Sequence, residues 1–160
     1  MRNSALSLQP DPSLTPAVIG RAATLALYDE LSLAPKPGLV TLIDSGSHDD
    51  MDAHTFMRSL FSLRRYFGQI AEAGERGSAF TVLEQCGIAA EARMLAATGG
   101  VNTHRGAIFM LGLLCAAAGA VGQARGIVNP ASLRGATRDL RTERDFVLAV
   151  PLGSGSAARA

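Results

Sequence analysis

The sequence predicts an all-α fold, a helical bundle of about four to five helices around one buried apolar helix. Three observations carry that expectation. Apolar residues recur at helical spacing over much of the 160-residue chain. Runs of alternating β-branched or aromatic residues are almost absent. One uncharged segment, Gly106 to Gly122, is apolar nearly all round, the pattern of a helix surrounded by neighbours. With 48% hydrophobic residues, a chain of this length buries roughly 70% of the surface its unfolded form exposes, which suits one globular domain.

Taken in order, Thr15 is the N-cap and Pro16 the first residue of the first helix. It runs through Ile19, Ala22, Leu25 and Ala26 toward Leu33, and Pro35 and Pro37 stop it. After a loop from Lys36 to Met51, Asp52 caps a second helix with Phe56, Leu60, Leu63, Phe67 and Ile70 on its apolar side. Gly74 and Gly77 end it. A third helix is predicted over 78–98, closing at Gly99 and Gly100, and a fourth, the core helix, over 103–121. Beyond Gln123 the pattern weakens, with breaks at Pro130 and Pro151, a short helix expected around 132–149 and a flexible Gly-Ser end. The expected division is a flexible N-terminus over 1–14, a helical catalytic-type domain over 15–122 and a weakly structured segment over 123–160.

Fifteen basic and 14 acidic side chains leave a net charge of +1, too little for an overall field that would hold nucleic acid or an anionic membrane. An anionic ligand must therefore be held by local groups. Cys86 and Cys115 lie inside apolar helical patterns and are read as reduced core residues. Met1 to Pro16 has no basic start followed by an apolar run, so no secretory signal is read and a cytoplasmic protein is expected. Gly106 to Gly122 sits at the lower limit of about 17 residues for a membrane span, and its many small residues favour a buried bundle helix.

Polar residues concentrate in two loops. The first contains Pro35-Lys36-Pro37-Gly38-Leu39-Val40 and then Asp44-Ser45-Gly46-Ser47-His48-Asp49-Asp50-Met51-Asp52. Lys36 is the only lysine beside 14 arginines, and prolines restrict the backbone on both sides of it. Two readings stand: a rigidly presented ammonium for phosphate, or a cation at the C-terminal end of the first helix. The carboxylates of Asp44, Asp49, Asp50 and Asp52 repel one another unless they are solvated, cap a helix or gather round a cation. Magnesium held by Asp49, Asp50 and Asp52 is one expectation; Asp52 as an N-cap is the other.

The second loop is Gly99-Gly100-Val101-Asn102-Thr103-His104-Arg105-Gly106, leading into the apolar helix. Glycine permits close approach to a ligand, the free N–H groups of a helix start attract phosphate, and Arg105 adds a cation. The alternative is structural, with Asn102 or Thr103 capping the helix and His104 on its solvent side. Glu30 and Glu91, each late in an apolar helix, either face the same site or lie on solvated faces.

In this order, the two loops resemble the triphosphoribosyl-dephospho-CoA synthase family. The resemblance rests on Glu30, PKPGLV at 35–40, SGSHDDMD at 45–52, Phe56, Ser59, Glu91 and GGVNTHRGAIF at 99–109. It extends over residues 15–122, and DSGSHDDMDA at 44–53 is closer to the malonate decarboxylase branch than to the citrate lyase branch. Members of the family continue through further helices, so the resemblance implies the N-terminal part only.

It implies a transferase that joins the ribose C1 of ATP to the 2′-hydroxyl of 3′-dephospho-CoA and expels adenine. The product would be a prosthetic-group precursor passed toward the acyl carrier subunit of malonate decarboxylase. Substitution at an anomeric carbon needs a base for the hydroxyl and assistance to the leaving group. On that footing Glu30 or His48 is the base and His104 contacts adenine or phosphate. Lys36, Gly38, Ser45, Gly46, Glu91, Asn102, Thr103, Arg105 and Gly106 line the substrates, with Asp49, Asp50 and Asp52 around Mg2+. Two further expectations compete, a helical metal-dependent phosphohydrolase using His48, Asp49 and His104, and a nucleotide-binding module without turnover. Self-association as a homo-oligomer is expected from apolar surface left on the core helix.

Overall fold

The computed structural model describes residues 14–124 and 128–142. Its elements are α1 (Pro16–Ser32), α2 (Ala53–Leu63), α3 (Tyr66–Glu75), α4 (Phe80–Thr98), α5 (Arg105–Gln123) and α6 (Pro130–Thr142), with no strand among the described residues. The all-α expectation holds.

α1 begins as its sequence dictates, with the Thr15 side chain accepting from Val18 N and Pro16 in the first turn. Its buried stripe is Ile19, Ala23, Leu27 and Leu31, whereas Ala22, Leu25 and Ala26 face solvent. The i, i+4 spacing of the larger aliphatic residues decides the face.

The predicted second helix is two helices. α2 buries Ser59, Leu60 and Leu63, while α3 buries Tyr66, Phe67, Ile70, Ala71, Ala73 and Gly74. α2 packs on α4, and α3 packs on α1 and α5. The chain turns at Arg64 and Arg65 so that both stripes find their partners, without a Pro or Gly to announce the break.

The most extensive helix contact is between α3 and α5, and small side chains make it possible. A Cβ on Gly74 would lie 2.0 Å from the carbonyl oxygen of Ala116, and one on Gly119 would lie 2.0 Å from that of Ala71. Backbones therefore meet where side chains would normally separate them. Tyr66 O–H donates to Ile108 O at 2.8 Å and so closes its own polar account within this contact. α5 is the core helix, burying Ile108, Gly112, Leu113 and the run from Cys115 to Gly119. It is not covered all round: Phe109, Met110 and Leu114 are exposed. Among the described residues α5 is also long and apolar enough to cross a membrane by length and composition; here it packs against α1, α3, α4 and α6.

Both cysteines are free. Burial pushes the Cys115 thiol up to about 12, making it an inert core group. α6 lies in the segment beyond 122 where a short helix is expected, and its Leu133 and Leu140 pack against the core. The helix occupies Pro130–Thr142, which covers the described part of the short helix expected around 132–149. The expectations for 1–13 and for 143–160 fall outside the described residues.

Candidate active site

The first loop is a self-supporting turn structure. Pro37 and Gly38 occupy the centre of a turn in which Leu39 N donates to Lys36 O at 3.1 Å, and Gly38 has φ 77°, which the pair satisfies without strain. Gly46 then folds back on it. A Cβ there would lie 2.5 Å from the carbonyl carbon of Gly38, and Ser47 N donates to Gly38 O at 3.3 Å. Buried Val40 and Thr41 anchor the loop, and Thr41 Oγ1 accepts from Asp44 N at 3.0 Å. The loop's conformation is thus fixed by local hydrogen bonds.

Lys36 reaches out of this turn. Its Nζ donates to Glu30 O and to Glu30 Oε1, each at 2.7 Å. Lys36 thus acts at the C-terminal end of α1, as one of its two readings has it, and pairs there with the Glu30 carboxylate. An ammonium has three donors, so one remains for a ligand.

The second loop follows the left-handed Gly99 at the end of α4, where Gly100 N donates to Leu95 O at 2.8 Å. Asn102 Oδ1 accepts from Arg105 N at 3.1 Å, so it satisfies the first N–H of α5 from outside the helix, while the N-cap position itself is His104. Thr103 turns inward, its Oγ1 donating to Ser59 Oγ at 2.7 Å. Arg105 Nε donates to Glu91 Oε1 at 2.6 Å, and Arg105 Nη2 pairs with the same oxygen. Glu91 therefore orients the guanidinium and leaves its remaining N–H groups available. Gly106 borders open space, with no atom within 4 Å of an added Cβ.

His104 corrects the expectation of a solvent-facing side chain. It is 6% exposed, with Nδ1 2.7 Å from Ser59 Oγ on α2 and the Phe56 ring edge-on at a centroid distance of 5.0 Å. Its backbone N–H donates to Met94 Sδ at 3.2 Å. Burial lowers its pKa to about 4, although the nearby Glu30 carboxylate pulls the other way. The imidazole is neutral at physiological pH. Its Nε2 is buried without a hydrogen-bond partner among the described residues.

The structure thus gathers Thr103 and His104 around Ser59 and Phe56, pairs Lys36 with a Glu30 carboxylate whose charge reaches His104, and pairs Glu91 with Arg105 at the start of α5. It does not gather the acidic residues. Asp52 is the N-cap of α2, accepting from Thr55 N and Thr55 Oγ1 at 2.8 Å each, and these bonds hold its carboxyl below the usual range. His48 Nδ1 faces Asp50 Oδ1 at 3.8 Å, Asp49 is exposed, and Ser45 O accepts from His48 N. Among the described residues no group of three or more His, Cys, Asp or Glu is placed to hold a metal ion. The ready-made cage of Asp49, Asp50 and Asp52, and the triad His48, Asp49 and His104 of the phosphohydrolase reading, are therefore not formed.

Phe56 and Ser59 carried part of the family resemblance but were given no role. Their signal was present: a serine one residue before Leu60 in a buried apolar stripe needs a polar partner. A separate groove of about 680 Å³ lies at the opposite end of α1, beside Thr15, Arg21, Arg64 and Arg65, and contains none of the loop residues.

Fold and site define an all-helical protein whose two loops carry the ion pairs Lys36–Glu30 and Arg105–Glu91, the second at the exposed start of the core helix, and an exposed helix start with a cation beside it suits an anion. The sequence profile of the CitG family, ATP:dephospho-CoA triphosphoribosyl transferase, matches residues 16–151. The chain belongs to this family. It is 49% identical over 107 residues to the probable 2-(5''-triphosphoribosyl)-3'-dephosphocoenzyme-A synthase of Albidiferax ferrireducens, a match covering 63% of this chain and 35% of that protein. A probable synthase of the same name from Acinetobacter calcoaceticus is 52% identical over 97 residues, covering 61% and 33%. Protein CitXG of Haemophilus influenzae is 44% identical over 107 residues, covering 63% and 23%. The chain spans about a third of the length of the two synthases it matches. No solved structure matches it.

Proposed function

We propose that this chain carries the nucleotide side of a triphosphoribosyl transferase that makes 2′-(5″-triphosphoribosyl)-3′-dephospho-CoA for malonate decarboxylase. In the reaction, the 2′-oxygen of 3′-dephospho-CoA bonds to the ribose C1 of ATP as the C1–N9 bond breaks. The hydroxyl proton is taken by Glu30 or His48, the departing purine takes up one proton from the site or solvent and leaves as adenine, and the triphosphate stays on the product. The buried His104 at the start of α5, held by Ser59 and reached by the charge of the Lys36-paired Glu30, is the observation that supports this reading.

Lys36 and Arg105 grip phosphate oxygens with the donors their carboxylate partners leave free. The N–H groups of Gly106 and Ala107, in the first turn and therefore without intrahelical acceptors, add to that grip. Gly38, Ser45, Gly46 and Asn102 shape the walls. Magnesium enters as the ATP complex, for such ions are held mostly by phosphate and water with one or two carboxylates. Asp49 and Asp50 are exposed carboxylates suited to that supporting part, while Asp52 serves α2. The branch assignment rests on DSGSHDDMDA at 44–53. Action in the cytoplasm and self-association through the exposed Phe109, Met110 and Leu114 complete the proposal, and light scattering checks the association.

The test is to incubate the full chain with ATP, magnesium and 3′-dephospho-CoA and to follow free adenine by chromatography. Adenine that appears only with both substrates supports the transferase. Phosphate release from ATP without adenine supports a phosphohydrolase, and ATP binding without either product supports a binding module.

A further inference from the structure

We propose that Ser59 and Thr103 are positioning residues that hold His104 as the tautomer protonated at Nε2, and that this N–H donates to a ring nitrogen of a bound purine. The second half rests on the nucleotide reading above; the first half stands on hydrogen-bond geometry alone.

Ser59 Oγ lies 2.7 Å from Thr103 Oγ1 and 2.7 Å from His104 Nδ1. Thr103 donates to Ser59, and a hydroxyl carries one proton of its own. In the proposed relay Ser59 gives that proton to Nδ1, which acts as acceptor. The ring is neutral and its proton sits on Nε2. Burial favours the same neutral form. The imidazole is held in place from two further sides, by the Phe56 ring and by the bond from its own backbone N–H to Met94 Sδ.

That leaves Nε2–H as a fixed donor, buried and without an acceptor among the described residues. Buried polar groups in folded proteins are nearly always satisfied, and an exception marks a place where a partner arrives. The surroundings select its chemistry. Phe56 against the ring and Met94 at the backbone N–H are apolar and bring no charge to balance a phosphate. An uncharged aromatic nitrogen enters such a place without losing the hydration shell of a phosphate. During substitution electron density builds on the departing purine, and a preorganised neutral N–H stabilises it while keeping its proton.

Nitrogen-15 NMR of histidine side chains in the full chain tests both halves, with the His104 signals assigned by their loss in His104→Gln. At neutral pH, Nε2 is expected in the protonated range and Nδ1 in the unprotonated range. Thr103→Ser should preserve that pattern, whereas Ser59→Ala and Thr103→Val should shift it toward a tautomer mixture. The second variant serves where the first fails to fold. Protonated Nδ1 in the parent protein, or an unchanged pattern in Thr103→Val, overturns the relay. Saturating adenine should move the Nε2–H signal downfield and inorganic triphosphate should leave it in place. A signal that adenine does not move, or that triphosphate moves instead, overturns the purine assignment. Failure of adenine release in turnover, with the NMR pattern intact, counts against the transferase reading and not against the relay.

Discussion

The loops at 35–52 and 99–106 read alike in sequence, each with glycines, a histidine, a cation and a helix-capping residue, yet they are built on different principles. The first satisfies itself: Thr41, Asp44, Gly38 and Gly46 close it by local hydrogen bonds, and His48 stays at the surface beside Asp50. The second is held from outside. Ser59 on α2 and Met94 on α4 fix Thr103 and His104, and His104 is almost wholly removed from water. A loop that owes its shape to neighbouring helices presents a fixed donor, while a self-closed loop presents its charges to whatever arrives.

The largest expected effect separates the two histidines. His104→Ala leaves a cavity and strands Ser59 and Thr103, which should cost about 2–4 kcal/mol of stability. His48→Ala should stay within about 0.5 kcal/mol. Urea midpoints of the two variants decide this, and equal midpoints would break the contrast.

Acid should reveal the same asymmetry. Burial lowers the folded-state pKa of His104 from 6.5 to about 4, so between those values the unfolded chain binds a proton that the native chain refuses. The His104 contribution is complete above pH 6.5 and falls away as pH drops toward 4, by up to about 3 kcal/mol. Thermal melts across that window should show a shallower loss in His104→Gln than in the parent. Parallel curves would remove the buried neutral imidazole.

Glycines give the smallest and most local contrast. Gly46 has φ 61° and abuts the backbone of Gly38, so Gly46→Ala should cost about 1–3 kcal/mol. Gly106→Ala meets open space and should be neutral or stabilising by about 1 kcal/mol. If Gly106→Ala also weakens MgATP binding without loss of stability, its open side is ligand space.

Much of this was legible from residues alone. Thr15-Pro16, Asp52 and Gly99 mark helix ends by chemistry that acts within a few residues, and all three act as read. The break between α2 and α3 was not legible, because Arg64 and Arg65 keep helical dihedrals and the turn serves packing against helices distant in sequence. The burial of His104 was hidden for the same reason: Ser59 lies 45 residues away. The pairing of Lys36 with Glu30 joins a loop to the end of the preceding helix, and sequence left it as two separate candidates. The acidic run was misleading as a metal cage, since Asp52 is committed to Thr55.

The central claim is that both loops contribute to one nucleotide site, Lys36 from the first and Arg105 from the second. Calorimetric titration of MgATP into the full chain, Lys36→Ala and Arg105→Ala tests it most directly. Each substitution removes a charge-assisted contact of about 1.5–3 kcal/mol, so affinity should fall by about tenfold or more in both. Unchanged affinity in both variants would contradict the shared site.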